Sequence, residues 1–230
     1  VCNEILTEFF KEVKEKPEDI ELDENPIVYN QFQDDDVLLP YGLYQINASC
    51  AYKVLQKIKP KNIFELSDVN AISRPGALDY LDSYVNNNVD CPHPIFKDIV
   101  KRSRNLFLYQ EQLMQSLAAI GFTLDEAETC RKIVGKKLVK EVKEWEQKIY
   151  TKVKENGFSE EIGKILWKIL NDSAKYSFNI SHSLITSKLS ALTVWCKYQY
   201  PLQFYKACLT ATKDLPNCLD EINLIQKELS

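Results

Sequence analysis

Residues 178–209 read FNISHSLITSKLSALTVWCKYQYPLQFYKACL, and this stretch predicts two consecutive helices. A hydroxyl of Ser181 or Ser183 can cap the first helix by accepting a hydrogen bond from an orphan backbone N–H. Tyr200-Pro201 ends that helix, because the proline ring removes a backbone N–H and restricts the preceding residue. Pro201 then suits the first turn of the second helix. Apolar residues recur at helical spacing and predict one buried face, made of Leu184, Ile185, Leu189, Leu192, Trp195 and Cys196.

The rest of the chain shows the same helical pattern. It has six glycines in 230 residues, and long stretches rich in Lys, Glu, Leu and Ile favour helix. We predict side-chain caps at Asn62 and Ser159, and a capping box between Thr123 and Glu126. Gly135 is predicted to break its helix, and the apolar residues 106–108 fit a short strand. The expected fold class is all-α, an irregular multi-helix domain with at most a few very short strands.

The net charge of −4 conceals two segments of opposite sign. Residues 1–40 carry twelve acidic and three basic side chains, whereas residues 131–154 carry nine basic and three acidic ones. Such a basic stripe can meet nucleic-acid phosphates, or it can be a solvated helix face with ion pairs one turn apart. No apolar run reaches the roughly 18 residues that a membrane span needs, so we expect no membrane partner.

The seven cysteines form no C-x-x-C pair, and reduced, buried thiols in a cytosolic protein are the simplest interpretation. Zinc at Cys91 and His93 would need two more ligands that the nearby sequence lacks. The run Asp34-Asp35-Asp36 can bind a divalent cation, but an acidic solvated loop is favoured because no ligand spacing accompanies it. We predict no metal site and no catalytic residue in this chain.

Four motifs occur in a fixed order along the chain. Residues 74–76 read RPG and force a turn, and residues 109–115 read YQEQLMQ. Residues 131–137 read RKIVGKK, and residues 178–183 read FNISHS. From about residue 44 to residue 209 this series resembles the bacterial replicative DNA polymerase III alpha subunit, a family C DNA polymerase. The positions that depart from the usual residues of that family are Ala77, Lys132, Ile180, Thr186 and Ala191.

The resemblance implies the mostly helical fingers region of that polymerase. It divides the chain into an N-terminal helix with an acidic connecting segment (1–40), a helical fingers domain (41–215) and a C-terminal helix (216–230). The family's palm segments, Asp-x-Asp-Phe and Phe-Asp-Phe-Leu-Gly, do not occur in this sequence. We therefore expect a fragment or a separately encoded piece, inactive alone, that binds no cofactor itself. Mg²⁺ is expected in the complete polymerase.

The same resemblance assigns candidate residues. Two groups are expected to contribute to a site for nucleotide and phosphate. The phosphate- or nucleotide-binding candidates are Arg74, Arg131, Lys132, Lys136, Lys137, Ser181 and His182. The candidates that line the pocket are Tyr109, Glu111, Gln112 and Asn179, with Glu111 orienting the basic groups.

Two functions fit these residues. In the first, the chain binds the incoming dNTP and the DNA template–primer beside the palm domain of the same polymerase, in the cytoplasm of a bacterial or phage-infected cell. In the second, it is a stand-alone helical module that docks on replisome proteins or on DNA without catalysis. A hydrolase pair of Ser181 and His182 is disfavoured, because adjacent residues at a helix start point apart and no orienting acid accompanies them.

Overall fold

The computed structural model describes residues 2–34, 38–136 and 139–230. Within these ranges no strand forms, and a single parallel β-bridge pairs Tyr109 with Phe178, so the all-α prediction is confirmed. Asp35 and Asp36 of the acidic run lie outside the described ranges. The helices are α1 (Cys2–Glu12), α2 (Pro26–Tyr29), α3 (Ser49–Ile58), α4 (Ile63–Ile72), α5 (Leu81–Asn86), α6 (Lys97–Val100), α7 (Gln110–Ala119), α8 (Leu124–Lys136), α9 (Val139–Glu155), α10 (Glu160–Ser173), α11 (Ile180–Gln199), α12 (Pro201–Thr212) and α13 (Cys218–Leu229).

The contacts of the backbone divide the chain into two compact units. The terminal unit holds the residues up to Asn70 together with Leu184–Ser230, and the central unit is Ala71–Ser183. Both boundaries fall inside helices, one in α4 and the other in α11. The division of the chain at residues 40 and 215, which the resemblance implied, stays a prediction.

In the terminal unit, α1 packs against α12. Phe9 of α1 is fully buried, and its ring lies 6.2 Å from the ring of Tyr200, just before α12 begins. The Tyr200 hydroxyl donates a hydrogen bond to the carboxylate of Glu15. Pro201 occupies the first turn of α12, as predicted.

The buried side of α11 carries small hydroxyl side chains, and the predicted apolar face is wrong at one position. Ile185 is 63% exposed. Ser190 is buried and donates its hydroxyl proton to the carbonyl of Tyr44, and Asn70 of α4 donates to the Ser187 hydroxyl. Leu192, Trp195 and Cys196 of the predicted face are buried, but the periodicity of apolar residues missed the buried hydroxyls, because hydroxyls with partners can be buried as readily as methyl groups.

A buried ion pair ties α13 to α11. Lys197 has 2% of its side chain exposed, and its ammonium donates to Glu228 at 2.7 Å and to the carbonyls of Leu39 and Tyr41 at 2.7 and 2.9 Å. Tyr205 donates to the same Glu228 carboxylate. Burial lowers the pKa of Lys197, and the Glu228 carboxylate opposes that shift.

In the central unit, helices α7, α8, α9 and α10 enclose one apolar core. Ile149 and Val153 of α9 and Leu166 and Leu170 of α10 are buried in this core. The larger members of this core are Phe96, Phe107, Leu113, Leu117, Ile120, Phe122, Trp145, Ile149, Ile162, Leu166 and Leu170.

Three local expectations about the central unit are corrected. Helix α8 continues through Gly135 to Lys136, because this glycine serves a close approach rather than a turn: a Cβ there would lie 3.0 Å from the backbone oxygen of Ala174. Residues 106–108 form no strand. Ser159 precedes α10, but its side chain makes no capping hydrogen bond. The caps at Asn62 and at Thr123 with Glu126 are confirmed.

Across the described residues, no helix combines the length and the apolar character that crossing a bilayer requires.

Candidate functional site

Two of the sequence motifs meet in the central unit. The backbone N–H of Phe178 donates to the carbonyl of Leu108 at 2.8 Å, and the N–H of Gln110 donates to the carbonyl of Phe178 at 2.9 Å. The Gln110 side chain adds a bond to the carbonyl of Ser177. The start of α7 and the start of α11 are therefore joined by hydrogen bonds.

Gln112 organises the loop that leads into α7. Its side-chain oxygen accepts from the N–H groups of Leu108 and Tyr109, both at 2.9 Å. Its amide nitrogen donates to the carbonyl of Ile99 at 3.1 Å and to the hydroxyl of Ser103 at 2.6 Å. These four bonds use the two donors and two lone pairs of the amide.

Tyr109 and Gln112 are predicted pocket-lining residues, and both lie inside the protein. The Tyr109 side chain is fully buried, with the guanidinium of Arg102 5.0 Å from its ring centre, and Gln112 is 5% exposed. In the structure these two side chains shape the elements around the site. Their contact with a ligand stays a prediction.

Glu111 caps the start of α11. Its carboxylate accepts from the side-chain amide of Asn179 at 2.9 Å and from the N–H of Ile180 at 3.0 Å. Asn179 in turn accepts from the N–H of His182 at 2.8 Å. The expectation that Ser181 or Ser183 caps this helix is thus wrong. Asn179 does so, because it stands one residue before the helix, where its side-chain oxygen can reach the first free N–H groups.

An aromatic platform brings together candidates from two motifs. The Arg74 guanidinium lies 4.1 Å from the centre of the Phe178 ring, and the His182 ring meets the same ring edge-on at 5.5 Å. Arg74, Asn179, Ser181 and His182 all reach the surface. The structure therefore places a cation and an imidazole around one ring at the surface of the central unit.

The turn that carries Arg74 is fixed by a contact that sequence reasoning missed. Gly76 has a φ of +89°, and a Cβ on it would lie 2.1 Å from the ring of Tyr176. Tyr176 is thus packed directly on the glycine of the Arg74-Pro75-Gly76 turn. The glycine was readable as a turn residue, but no local signal in the sequence points to its aromatic partner 100 positions away.

The basic candidates on α8 form a second cluster, and two of them already have a partner. Glu128 accepts two bonds from Arg131, both at 3.1 Å, and pairs with Lys132 at 2.8 Å. The hydrogen bonds from Arg131, and then those from Lys132, lower the pKa of Glu128. The spacings of three and four residues could have revealed these pairs. Lys136 is exposed, and Lys137 lies outside the described residues.

The two clusters are connected by a short stretch of chain. Gly135 of α8 touches the carbonyl of Ala174, and Phe178 follows four residues later. Four residues extend over at most about 14 Å. The cations of α8 and the platform around Phe178 are therefore neighbouring features of one unit, although no contact joins Arg74 to the α8 cations among the described residues.

No group of three or more His, Cys, Asp or Glu side chains that could hold a metal ion occurs among the residues with described positions.

Comparison with known proteins gives a consistent family. A family model for the bacterial DNA polymerase III alpha subunit finger domain matches residues 3–157. The DNA polymerase III subunit alpha of Aquifex aeolicus (strain VF5) is 32% identical over 199 residues, covering 83% of this chain. Those of Halalkalibacterium halodurans and Streptococcus pyogenes are 28% and 31% identical, over 79% and 71% of it.

The matched region is a small part of each relative. The chain spans 17% of the first two relatives and 16% of the third. The alignment to the Aquifex aeolicus protein is too long to fit within residues 3–157, so the similarity extends beyond the part that the family model covers. By this match and these relatives, the chain belongs to the finger domains of the bacterial DNA polymerase III alpha subunit.

Proposed function

We propose that this chain holds the phosphates of an incoming deoxynucleoside triphosphate and of the template–primer within a DNA polymerase III alpha subunit. The observation that carries the proposal is the exposed guanidinium of Arg74, held over the Phe178 ring beside His182. A guanidinium fixed by stacking loses little further freedom when it binds a phosphate, and its planar fork matches two phosphate oxygens.

The charge of the ligand explains why several cations are needed. A triphosphate carries about four negative charges, which call for convergent cations, and charge-assisted bonds to phosphate are the strong kind. Arg74, Ser181 and His182 supply one group, and the cations of α8 supply the other.

The α8 cations differ in how easily they can leave their present partner to bind a phosphate. Lys132 is 57% exposed, and exposed ion pairs are worth only about 0.2–1 kcal/mol, so a phosphate can displace Glu128 from it. Arg131 is 12% exposed and held by two bonds, so it acts as a fixed positive charge. Lys136, and Lys137 by its place in the motif, face the phosphates directly in this proposal.

Nucleotidyl transfer itself is assigned to the rest of the polymerase. That reaction uses two metal ions held by carboxylates, and the family's palm segments are absent from this sequence. In this proposal Mg²⁺ and the palm domain belong to the longer subunit, other replisome proteins are further partners, and the chain works in the bacterial cytoplasm. The fingers contribute positioning and charge neutralisation.

The proposal is tested by binding to the 230-residue chain. We expect Arg74→Ala to weaken dATP binding about tenfold, since it removes a charge-assisted bond, and Lys132→Ala with Lys136→Ala to weaken binding of a fluorescent primer–template. The slope of log affinity against log salt should fall by about 0.9 for each lost phosphate contact. Calorimetry measures the first effect, and fluorescence anisotropy over a salt series measures the second.

The matched control removes two exposed lysines from α10, as Lys164→Ala with Lys168→Ala. It changes the net charge equally but lies outside both clusters. If the α8 and α10 double variants lose equal affinity for the primer–template, the effect comes from net charge and not from specific phosphate contacts. If Arg74→Ala leaves the affinity for dATP unchanged, the proposed nucleotide site is wrong. Incorporation of dATP into the primer by the chain alone with Mg²⁺ would contradict the assignment of nucleotidyl transfer to the rest of the polymerase.

A further inference from the structure

We infer that Glu111 is the positioning residue of this site: it sets the geometry of Phe178, Asn179 and His182 without touching the ligand. The inference rests on the proposed function. It differs from the expectation that Glu111 orients the basic groups, because its carboxylate binds the start of α11 and contacts no cation among the described residues.

The argument begins with a relay of hydrogen bonds. One carboxylate oxygen of Glu111 accepts from the Asn179 amide at 2.9 Å, and the other accepts from the N–H of Ile180 at 3.0 Å. The oxygen of Asn179 is thereby turned toward the N–H of His182, which donates to it at 2.8 Å. One side chain on α7 thus fixes both the first N–H of α11 and the orientation of its cap.

The relay reaches the cation through the aromatic ring. Phe178 precedes Asn179, and its backbone is already bonded to Leu108 and Gln110. The Arg74 guanidinium and the His182 ring both pack on the Phe178 side chain. A rotation of residues 178–180 would therefore move the platform and both groups that pack on it.

A carboxylate is required at this position by the chemistry of its partners. Asn179 and Ile180 both present donors, and a carboxylate is an acceptor on both oxygens. In Glu111→Gln only one side-chain oxygen remains, so the new NH2 group faces either the Ile180 N–H or the Asn179 amide, and both of these are donors. Asn179 could turn over to accept from the introduced amide only by giving up its bond from His182. The substitution is almost isosteric, so its effect reports on hydrogen bonding rather than on volume.

The test uses dATP binding to the 230-residue chain, with two variants. Removing a carboxylate near a phosphate would, by charge alone, tighten binding. Loss of positioning has the opposite sign, and we expect Glu111→Gln to weaken dATP binding about fivefold to tenfold. The double variant Glu111→Gln with Asn179→Asp reverses donor and acceptor and places the negative charge at the N-terminal cap of α11, where the helix dipole favours it. It should recover most of the affinity.

The control is Glu126→Gln, which removes another capping carboxylate from the central unit, at the start of α8. Amide hydrogen exchange of residues 180–183 gives a readout independent of ligand: it should rise in Glu111→Gln and return toward the parent value in the double variant. Parent-level or tighter dATP binding by Glu111→Gln, or no recovery in the double variant, would refute the positioning role. A parent chain that does not bind dATP refutes the proposed function instead, and unchanged exchange then refutes the positioning role separately.

Discussion

At the scale of single residues, the site depends on how closely Tyr176 approaches Gly76. The glycine has a φ of +89°, where a side chain is strained, and the Tyr176 ring occupies the space of its absent Cβ. Arg74 stands two residues before this glycine and reaches the Phe178 ring. The placement of one cation is therefore tied to the packing of this glycine against Tyr176.

Comparison of Gly76 with Gly157 separates the cost of a strained backbone φ from the cost of a steric clash with a neighbouring side chain. Gly157 has a φ of +73°, but no atom lies within 4 Å of a Cβ built on it. We expect Gly157→Ala to lower the free energy of unfolding by about 1–2 kcal/mol, the cost of left-handed backbone. Gly76→Ala should cost at least about 1 kcal/mol more, because the Tyr176 ring must also move. Urea denaturation of both variants measures the difference.

Removal of the ring provides the internal check. Tyr176→Ser in the Gly76→Ala background should recover part of the loss, because the colliding atoms are gone while the strained φ remains. Equal destabilisation by Gly76→Ala and Gly157→Ala would show that the ring gives way without cost.

What the sequence predicts at this scale is the local part of each feature. The turn at Gly76, the cap at Asn62 and the capping box at Thr123 follow from residues close together in the chain, and all three are present. The cap of α11 was placed on the wrong residue, because Ser181, Ser183 and Asn179 all suit a helix start. Glu111 decides between them, and it lies 68 residues from Asn179.

At the scale of elements, α13 is held to the terminal unit by a buried charge pair. The ammonium of Lys197 and the carboxylate of Glu228 lie 2.7 Å apart with 2% and 11% of their side chains exposed. Each charge depends on the other, because an unpaired buried charge is far more costly than a paired one.

Lys197→Met should therefore destabilise the terminal unit by about 3–5 kcal/mol, since it leaves the Glu228 carboxylate buried without its cation. Combining it with Glu228→Leu should cost clearly less than the sum of the single substitutions. Chemical denaturation followed by circular dichroism measures these free energies, and the coupling in the double-mutant cycle is the informative quantity.

A surface pair in the same unit is the natural reference. Lys206 of α12 pairs with Glu12 of α1, with 65% and 37% of the side chains exposed. Lys206→Met should change the stability by less than about 1 kcal/mol. Similar losses for Lys197→Met and Lys206→Met would mean that burial adds nothing to the inner pair.

Elements were predicted better than the faces they bury. Helical periodicity and Pro201 located α11 and α12, but Gly135 was taken for a breaker and Ile185 for a core residue. Both errors concern packing partners, the backbone of Ala174 for the glycine and the Tyr44 loop for the opposite side of α11. Partners far away in sequence are not visible to a window of ten or twenty residues.

At the scale of the whole molecule, the cysteines report on the two units separately. Cys130 is buried in the central unit, whereas Cys196 and Cys208 are buried in the terminal unit, and Cys50 is exposed. Burial raises the pKa of the Cys130 and Cys208 thiols to about 12, and it raises the pKa of Cys196 as well. At pH 8 a thiol with that pKa is about one part in ten thousand thiolate, which is the reactive form.

We therefore expect Cys50 to react first with a thiol reagent at pH 8 in the native protein, and Cys130, Cys196 and Cys208 to react only when their unit opens. Labelling at increasing urea, mapped by mass spectrometry, assigns each opening to a unit. A Cys50→Ser variant should lose the fast phase. Native-state labelling of Cys130 as fast as that of Cys50 would contradict its burial.

The family could be recognised from the sequence, while the division into units could not. Four motifs in a fixed order indicated polymerase fingers, and the family match bears this out. The terminal unit joins chain segments from both ends of the molecule, and both boundaries fall inside helices, where composition and linkers give no signal.

The hydroxyl-bearing inner side of α11 reverses the usual pattern of mutational tolerance. A core of large aliphatic groups suffers when a side chain shrinks and leaves a void. Where Ser187, Ser190 and Thr193 are buried, there is little volume to lose, so truncation to alanine opens almost no void and costs a hydrogen bond together with its partner's loss, whereas a larger side chain must displace its packed neighbours. On this side of α11, enlarging a side chain is therefore expected to destabilise the protein more than shortening one.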